Sequence, residues 1–227
     1  MISIIIPIYN EEKILSKFIK NIFEIENINN CQIIFIDGKS TDKTNKILLK
    51  YKNLGYEYHV SPKKGRAYQM NYGTKFAKKN ILWFLHADSL LEKDVVNKII
   101  NSNFPVGCLK IKFEPNNILM YINSIMSTRR VKKNNIAFGD QGIFIKKEIF
   151  NKINGYAEIP IMEDIKLSND ITKFGYKINI LNSTIITSSR RYNNKFFKTI
   201  ILMKKLQKQY KKGIDINKIS NEYKDIR

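Results

Sequence analysis

Apolar residues in this chain fall into two recurring patterns: short β-branched runs, and stretches where they return every three or four positions. Ser3 to Ile8 is dominated by isoleucine and predicts a first strand. A helix follows from about Glu12, with Ile14, Leu15, Phe18, Ile19 and Ile22 on one face. Gln32 to Asp37 reads as a second strand and Tyr56 to Val60 as a third. Between them lies a helix for which Ser40 or Thr41 is the expected cap and Ile47, Leu48 and Tyr51 the apolar face. Another helix is expected to start near Arg66 and to end before a fourth strand, Ile81 to Leu85. This alternation predicts an α/β domain, a mixed sheet flanked by helices.

The second half is less regular. Val106 to Phe113 predicts a strand, and Asn117 to Thr128 a helix with Leu119, Ile122 and Ile125 turned inward. Ala137 to Ile145 predicts a further strand and Met162 to Phe174 a further helix. The run from Phe196 to about Lys212 predicts a basic amphipathic helix, which either packs on the domain or lies on an anionic membrane surface. The expected division is a catalytic domain over residues 1–192 and a helical extension over residues 193–227.

Polar residues recur just past strand ends: Asn10 after the first, Asp37 at the second, His86 and Asp88 after the fourth. Ligands of open α/β sheets bind at the carboxyl ends of strands, above all where the strand order reverses. Three such loops together point to a nucleotide site, although each alone is an ordinary polar turn.

Composition narrows the picture. A chain of 227 residues with 43% hydrophobic and 11% aromatic residues can bury a substantial core. The amino terminus has no basic leader or small-residue cleavage site, and Pro7 and Asn10 interrupt its apolar run, so it reads as a strand. No stretch reaches the roughly 18 apolar residues of a membrane span. These features predict a cytoplasmic chain, with peripheral contact to the inner membrane face left open. Cys31 and Cys108 match no metal or redox spacing and predict two free, buried thiols. The net charge of +20 favours phosphate-bearing partners, yet the excess of Lys, Asn and Ile is also what AT-rich coding produces. No reader helix, aromatic-and-basic strand motif or zinc site accompanies the charge, which argues against nucleic acid.

Candidate chemistry is spread along the chain. Asp88 ends a hydrophobic strand, where a hard cation such as Mn2+ or Mg2+ takes one or two protein ligands plus phosphate oxygens, and His86 could join it. Glu163 and Asp164 open a helix, as candidate general bases or as acids complementing the helix dipole. Arg66, after Lys63-Lys64-Gly65, and the pair Arg190 and Arg191 offer forked donors suited to phosphate.

Read in order, these segments resemble the family 2 glycosyltransferases with the type A fold. The opening Ser3 to Glu12 is similar to that family's first strand and loop, and Ile36-Asp37-Gly38-Lys39-Ser40-Thr41-Asp42 to its Asp-rich second loop. His86-Ala87-Asp88 sits where the family has Asp-x-Asp, and Glu163-Asp164 where it has its base motif. Gly65-Arg66-Ala67, Gln69-Met70-Asn71, Phe138 to Phe144 and Ser189 to Tyr192 resemble a small bacterial subgroup often found beside radical-SAM or selenoprotein-associated genes.

The resemblance implies transfer of a hexose-like sugar, with inversion, from a nucleotide-diphosphate donor to an acceptor hydroxyl. UDP is the favoured nucleotide, and lipid-linked acceptors are frequent in the class. It implies a nucleoside contact for Asp37, with Pro7, Tyr9, Asn10 and Glu11 around it, and a metal role for Asp88. Asp164 would be the base, assisted by Glu163, while Arg66, Asn71, His86, Arg190 and Arg191 would surround the nucleotide-sugar. Three positions depart from the pattern: His86 replaces an acid, Gly38-Lys39 alters the second loop, and Tyr192 stands where many relatives have Trp. The competing readings are a catalytically weak nucleotide-sugar binder and a basic nucleic-acid-binding protein.

Overall fold

In the computed structural model, which describes residues 1–189 and 196–224, the strands form one sheet. They are β1 (Ile2–Ile8), β2 (Gln32–Asp37), β3 (Glu57–Val60), β4 (Ile81–Phe84), β5 (Ser89–Leu91), β6 (Val106–Glu114), β7 (Phe144–Lys146) and β8 (Asn179–Ser188). Their order across the sheet is β3-β2-β1-β4-β7-β6-β8-β5. The first four run parallel. Beyond β4 the sheet is mixed: β7 is antiparallel to β4 and β6, while β8 is parallel to β6 and antiparallel to β5.

Alternate residues of the parallel strands enter different cores. Ile2, Ile4, Ile6 and Ile8 pack with Leu15, Phe18, Ile19 and Ile22 of α1 (Leu15–Phe23). Ile5, Ile34 and Ile36 pack with Ala67 and Met70 of α3 (Arg66–Thr74). Burial on both faces is why these strands read as continuous apolar runs. Gly73 permits the close approach of α3 to the sheet: a Cβ there would lie 2.6 Å from Cγ2 of Ile5.

Several sequence expectations need correction. The helix α1 starts three residues later than the apolar pattern suggested. Neither Ser40 nor Thr41 caps α2 (Thr44–Lys50): Ser40 bonds Asp37, and Asp42 accepts from the Thr44 amide at 2.9 Å. The strand expected over residues 137–145 is only the short β7, because Gly139–Gln141 forms a 3-10 turn and Gly142 takes a left-handed φ of 58°. The helix α5 (Ile118–Asn134), capped by Asn117, turns Met120, Ser127 and Val131 inward. Ile122 and Ile125, expected in the core, face outward. Apolar residues occupy two sides of α5, so periodicity did not single out the side that packs.

The strands β5 and β8 and the helices α4 (Val95–Ser102) and α6 (Lys147–Lys152) had no place in the sequence reading. Cys31 and Cys108 are both free thiols, but only Cys108 is buried and Cys31 is half-buried. Burial pushes their pKa values up to about 11 and about 12 respectively, so neither is a thiolate at neutral pH.

At the carboxyl-terminal end, α8 (Phe196–Lys211) and α9 (Ile216–Lys224) pack on the start of α7 (Glu163–Lys173). Leu206 and Ile219 meet Ile161, Met162 and Ile165 there. No helix among the described residues is long and apolar enough to cross a membrane.

Candidate active site

The strand order reverses between β1 and β4, and three of the expected loops open at that edge. Beyond β1, Asn10 takes a left-handed φ of 54°. Its amide donates to Ser40 Oγ at 2.9 Å, and its Oδ1 accepts from the Thr41 amide at 2.8 Å. The Glu11 amide donates to Thr44 Oγ1 at 2.9 Å, and the Glu12 amide to Asp42 Oδ2 at 3.1 Å. The loops after β1 and β2 are therefore stitched into one wall. Pro7 and Tyr9 are half-buried in it, and Lys64 Nζ sits 3.5 Å from the centroid of the Tyr9 ring.

Asp37 is the buried anchor of this wall. Its Oδ1 accepts from the amide (2.9 Å) and hydroxyl (2.6 Å) of Ser40, and its Oδ2 from the Tyr58 hydroxyl (2.9 Å). Burial first, and then donation to Asp37, push the Tyr58 phenol far above its ordinary value, so it stays a neutral donor. Beneath them Gln69 Nε2 donates to the carbonyls of Ile8 (2.9 Å) and Ile36 (2.8 Å), bracing the ends of β1 and β2. Gly38 makes room for Gln69, whose Oε1 would lie 2.9 Å from a Cβ at that position. Tyr58 and Gln69 were not singled out as site residues; no local motif marks a side chain that braces two strand ends.

A second group gathers at the start of α7. Met162, just before it, is buried in the left-handed region with φ 68°, a strained backbone for a residue other than glycine. It turns the chain so that Glu163 and Asp164 form the first turn of the helix. Glu163, 6% exposed, pairs with Arg66 Nη1 at 3.3 Å across 97 residues of sequence. Asp164 Oδ2 accepts from the Gly139 amide at 3.0 Å, and Oδ1 from the Ile165 amide at 2.8 Å. Burial works against the Arg66 charge, but Glu163, Asp164, Tyr223 and Asp140 together hold its pKa above the ordinary value. The arginine therefore stays charged.

The turn Gly139–Gln141 joins this group to β4. The His86 ring lies against Gly139, where an added Cβ would meet Nε2 at 3.0 Å, and the Gly139 amide holds Asp164. The turn is fixed from below. Arg130 stacks on the Phe138 ring at 3.3 Å and donates to Gln141 Oε1 at 2.7 Å, and Trp83 Nε1 donates to the Gly142 carbonyl at 3.1 Å. The segment from Phe138 to Phe144 was noted in the sequence without a role at the site. Its role is that of a strut between His86 and Asp164.

Asn71 is hydrogen-bonded to the backbone of Tyr156. Its Nδ2 donates to the Tyr156 carbonyl at 2.8 Å, and its Oδ1 accepts from the Tyr156 amide at 2.9 Å. It clamps the loop that buries Tyr156. Burial raises the Tyr156 phenol well above its ordinary value, reinforced by the nearby charges of Asp164 and Glu163. The tail closes the same group from outside, with Tyr210 and Tyr223 packed against the Ile161–Met162–Ile165 cluster.

Asp88 is half-exposed and lines an open cleft with Lys17, Glu114, Thr187 and Ser188. Among the described residues no group of three or more His, Cys, Asp or Glu side chains could hold a metal by itself. A single carboxylate with a histidine nearby nonetheless fits a hard cation whose other ligands are phosphate oxygens and water. Arg190 and Arg191 lie outside the described residues.

Comparison with known proteins adds independent findings. Residues 3–102 match the model of the family described as Glycosyl transferase family 2. The chain is 25% identical over 231 residues to the minor teichoic acid biosynthesis protein GgaB of Bacillus subtilis (strain 168), covering 89% of this chain and 26% of that protein. It is 32% identical over 106 residues to a Methanococcus voltae protein, dolichyl N-acetyl-alpha-D-glucosaminyl phosphate 3-beta-D-2,3-diacetamido-2,3-dideoxy-beta-D-glucuronosyltransferase; this covers 44% of this chain and 33% of that one. The chain thus spans a quarter to a third of the length of these relatives.

Among solved structures, S. aureus TarS 1-349 in complex with UDP-GlcNAc superposes with a TM-score of 0.68 at 17% identity, over 83% of this chain and 58% of that one. Mannosyltransferase PcManGT from Pyrobaculum calidifontis, in complex with GDP-Man and Mn2+, superposes with a TM-score of 0.66 at 20% identity, over 82% and 56%. The fold is the glycosyltransferase type A architecture expected from the sequence.

Proposed function

We propose that this chain transfers a sugar, with inversion, from a nucleotide-diphosphate donor, UDP favoured, to an acceptor hydroxyl, with a divalent cation on the diphosphate. One observation carries the reading. The loops after β1 and β2 are stitched together, and the loop after β4 carries Asp88 and also His86, which lies against the Gly139 turn that holds Asp164 of the acidic helix start. The family match over residues 3–102 and the nucleotide-sugars named for the two solved structures support it.

In this reading the nucleoside lies against Tyr9, Asn10 and Asp37. Asp37 holds the loop shape through Ser40 and Tyr58 and offers its remaining acceptor capacity to the base. Asp88 would hold a cation, Mn2+ or Mg2+, which when bound would supply charge neutralisation for the departing diphosphate. Asp164 takes the proton of the acceptor hydroxyl on one carboxylate oxygen, while the Gly139 amide fixes its orientation. The acceptor oxygen forms a bond to the anomeric carbon as the bond to the diphosphate breaks, and the electron pair leaves with the nucleoside diphosphate. Arg66 balances the charge of Glu163 beside the acceptor.

The experiment is thermal unfolding of the protein with UDP, GDP or ATP, with and without Mn2+, beside an Asp88→Ala variant. Selective binding to the folded state raises the melting temperature. A metal-dependent rise with one nucleoside diphosphate, absent in the variant, is the expected result. No rise with any diphosphate at millimolar concentration would sink the reading. A rise without nucleotide release from any nucleotide-sugar would leave a binder that does not turn over.

A further inference from the structure

The strands β6 and β8 run parallel and end together, with Glu114 paired to Ser188 and the Ser189 amide donating to the Glu114 carbonyl at 2.9 Å. The helix α5 begins four residues after Glu114, and α8 follows β8 after a short connection. Phe196 of α8 packs on the same large core cluster that contains Met120 of α5. Both helices therefore follow strands that end at one edge, where Glu114 and Ser188 line the cleft that holds Asp88.

Their outer faces are apolar. Ile118, Tyr121, Ile122, Ile125 and Met126 recur at three- and four-residue spacing on α5 and are between 37% and 70% exposed. The same face continues into the exposed cations Arg129, Lys132 and Lys133. On α8, Phe197 and Ile201 are 66% and 67% exposed, and the face runs on into Lys204 and Lys208, beside Lys205, which pairs with Glu222 of α9 at 2.9 Å. Neither helix carries an acidic residue. An exposed apolar stripe of this extent marks an interaction surface.

We propose that the outer faces of α5 and α8 form a docking surface for an anionic lipid bilayer. Large apolar side chains ringed by cations of one sign are what an interfacial helix uses, the first entering the acyl boundary and the second meeting anionic headgroups. A second copy of this chain fits less well, because the face offers no acid to neutralise the partner's cations. The surface differs from the one expected in the sequence, where the C-terminal helix alone was the candidate. Most of α8's apolar residues, Leu202, Met203, Leu206 and Tyr210, are turned onto the domain, and α5 supplies the greater part of the exposed stripe. Docking in this way would bring the Asp88 cleft to the headgroup layer. The inference goes beyond the transferase reading and does not depend on it.

The test is co-sedimentation with vesicles of phosphatidylcholine alone and of equal parts phosphatidylcholine and phosphatidylglycerol. Sedimentation with the mixed vesicles, weakened by salt, is expected. The double variant Ile122→Glu, Ile125→Glu should lose binding by more than on the order of tenfold, since each isoleucine contributes burial worth about that factor. Both residues are exposed, so the variant should melt as the parent does. Leu49→Glu, at a 60% exposed leucine on α2, should bind as the parent does. Absence of binding to mixed vesicles, or binding that the double variant retains, would overturn the proposal. So would a concentration-dependent dimer in solution that the double variant abolishes, which would assign the face to a second copy.

Discussion

The two halves of the sheet are built differently and hold different parts of the site. From β1 to β4 the strands are parallel, each is followed by a helix or a turn at the same edge, and a wall forms between neighbouring loops. From β5 to β8 the strands are mixed, and the acidic helix start is assembled from distant positions, including α3 of the first half: Arg66 with Glu163, Gly139 with Asp164, and Asn71 with Tyr156. The first half joins loops of adjacent strands about thirty residues apart. The second joins groups 25 to 97 residues apart, with the strain of Met162 beside them.

The sharpest way to break that division is to disable each half separately. Asp164→Asn should lower turnover by two to four orders of magnitude (roughly the contribution of a positioned base) while the nucleotide-induced rise in melting temperature remains. Asp37→Asn should instead lose most of that rise, because an amide cannot accept the Ser40 and Tyr58 bonds on both sides. If Asp164→Asn also abolishes nucleotide stabilisation, the halves are not separable. Turnover assays and thermal unfolding on the same samples decide between these outcomes.

Smaller effects test how the wall is braced. Gln69→Ala should cost about 0.5–1.5 kcal/mol for each of the two bonds lost, to the Ile8 and Ile36 carbonyls, the former keeping the Gly38 amide as a donor; urea unfolding measures this. Gly73→Ala should cost about 1–3 kcal/mol through overpacking, since its methyl would sit 2.6 Å from Ile5.

The smallest effect concerns acid. Burial raises the Asp42 carboxyl, but bonds from the Thr44 side chain and backbone and from the Glu12 backbone outweigh it, so the folded pKa lies below the ordinary value. Such a group stabilises the fold above its unfolded pKa, and that contribution fades as pH falls through the folded value. Asp42→Asn should therefore flatten the loss of stability below about pH 4, where carboxylates protonate, and change little at neutral pH. Melting temperatures measured across that range would show it.

Legibility followed the same line. The strands β1, β2 and β4 were readable because each is a compact apolar run with most of its residues buried, and each is followed at once by a polar loop. The ten-residue β8 was not: its inward residues Leu181, Ser183, Ile185 and Thr187 include two hydroxyls, so burial there does not follow hydrophobicity. The orientation of α5 was missed because it is apolar on both its packed and its open sides. Glu163 and Asp164 were found as a pair, but Arg66 as the partner of Glu163 was invisible at a separation of 97 residues.

By itself, the sequence determined the type A architecture of the first half and the positions of the carboxylates, since burial of β-branched runs and polar loop ends are local properties. Only the tertiary structure decided which groups meet. It made Gln69 and Asn71 braces for strand ends and a loop, set the Gly139 turn between His86 and Asp164, and turned one apolar side of α5 outward. Those outcomes depend on how strands far apart in the chain pair and which helix face they cover, and no local pattern encodes that choice.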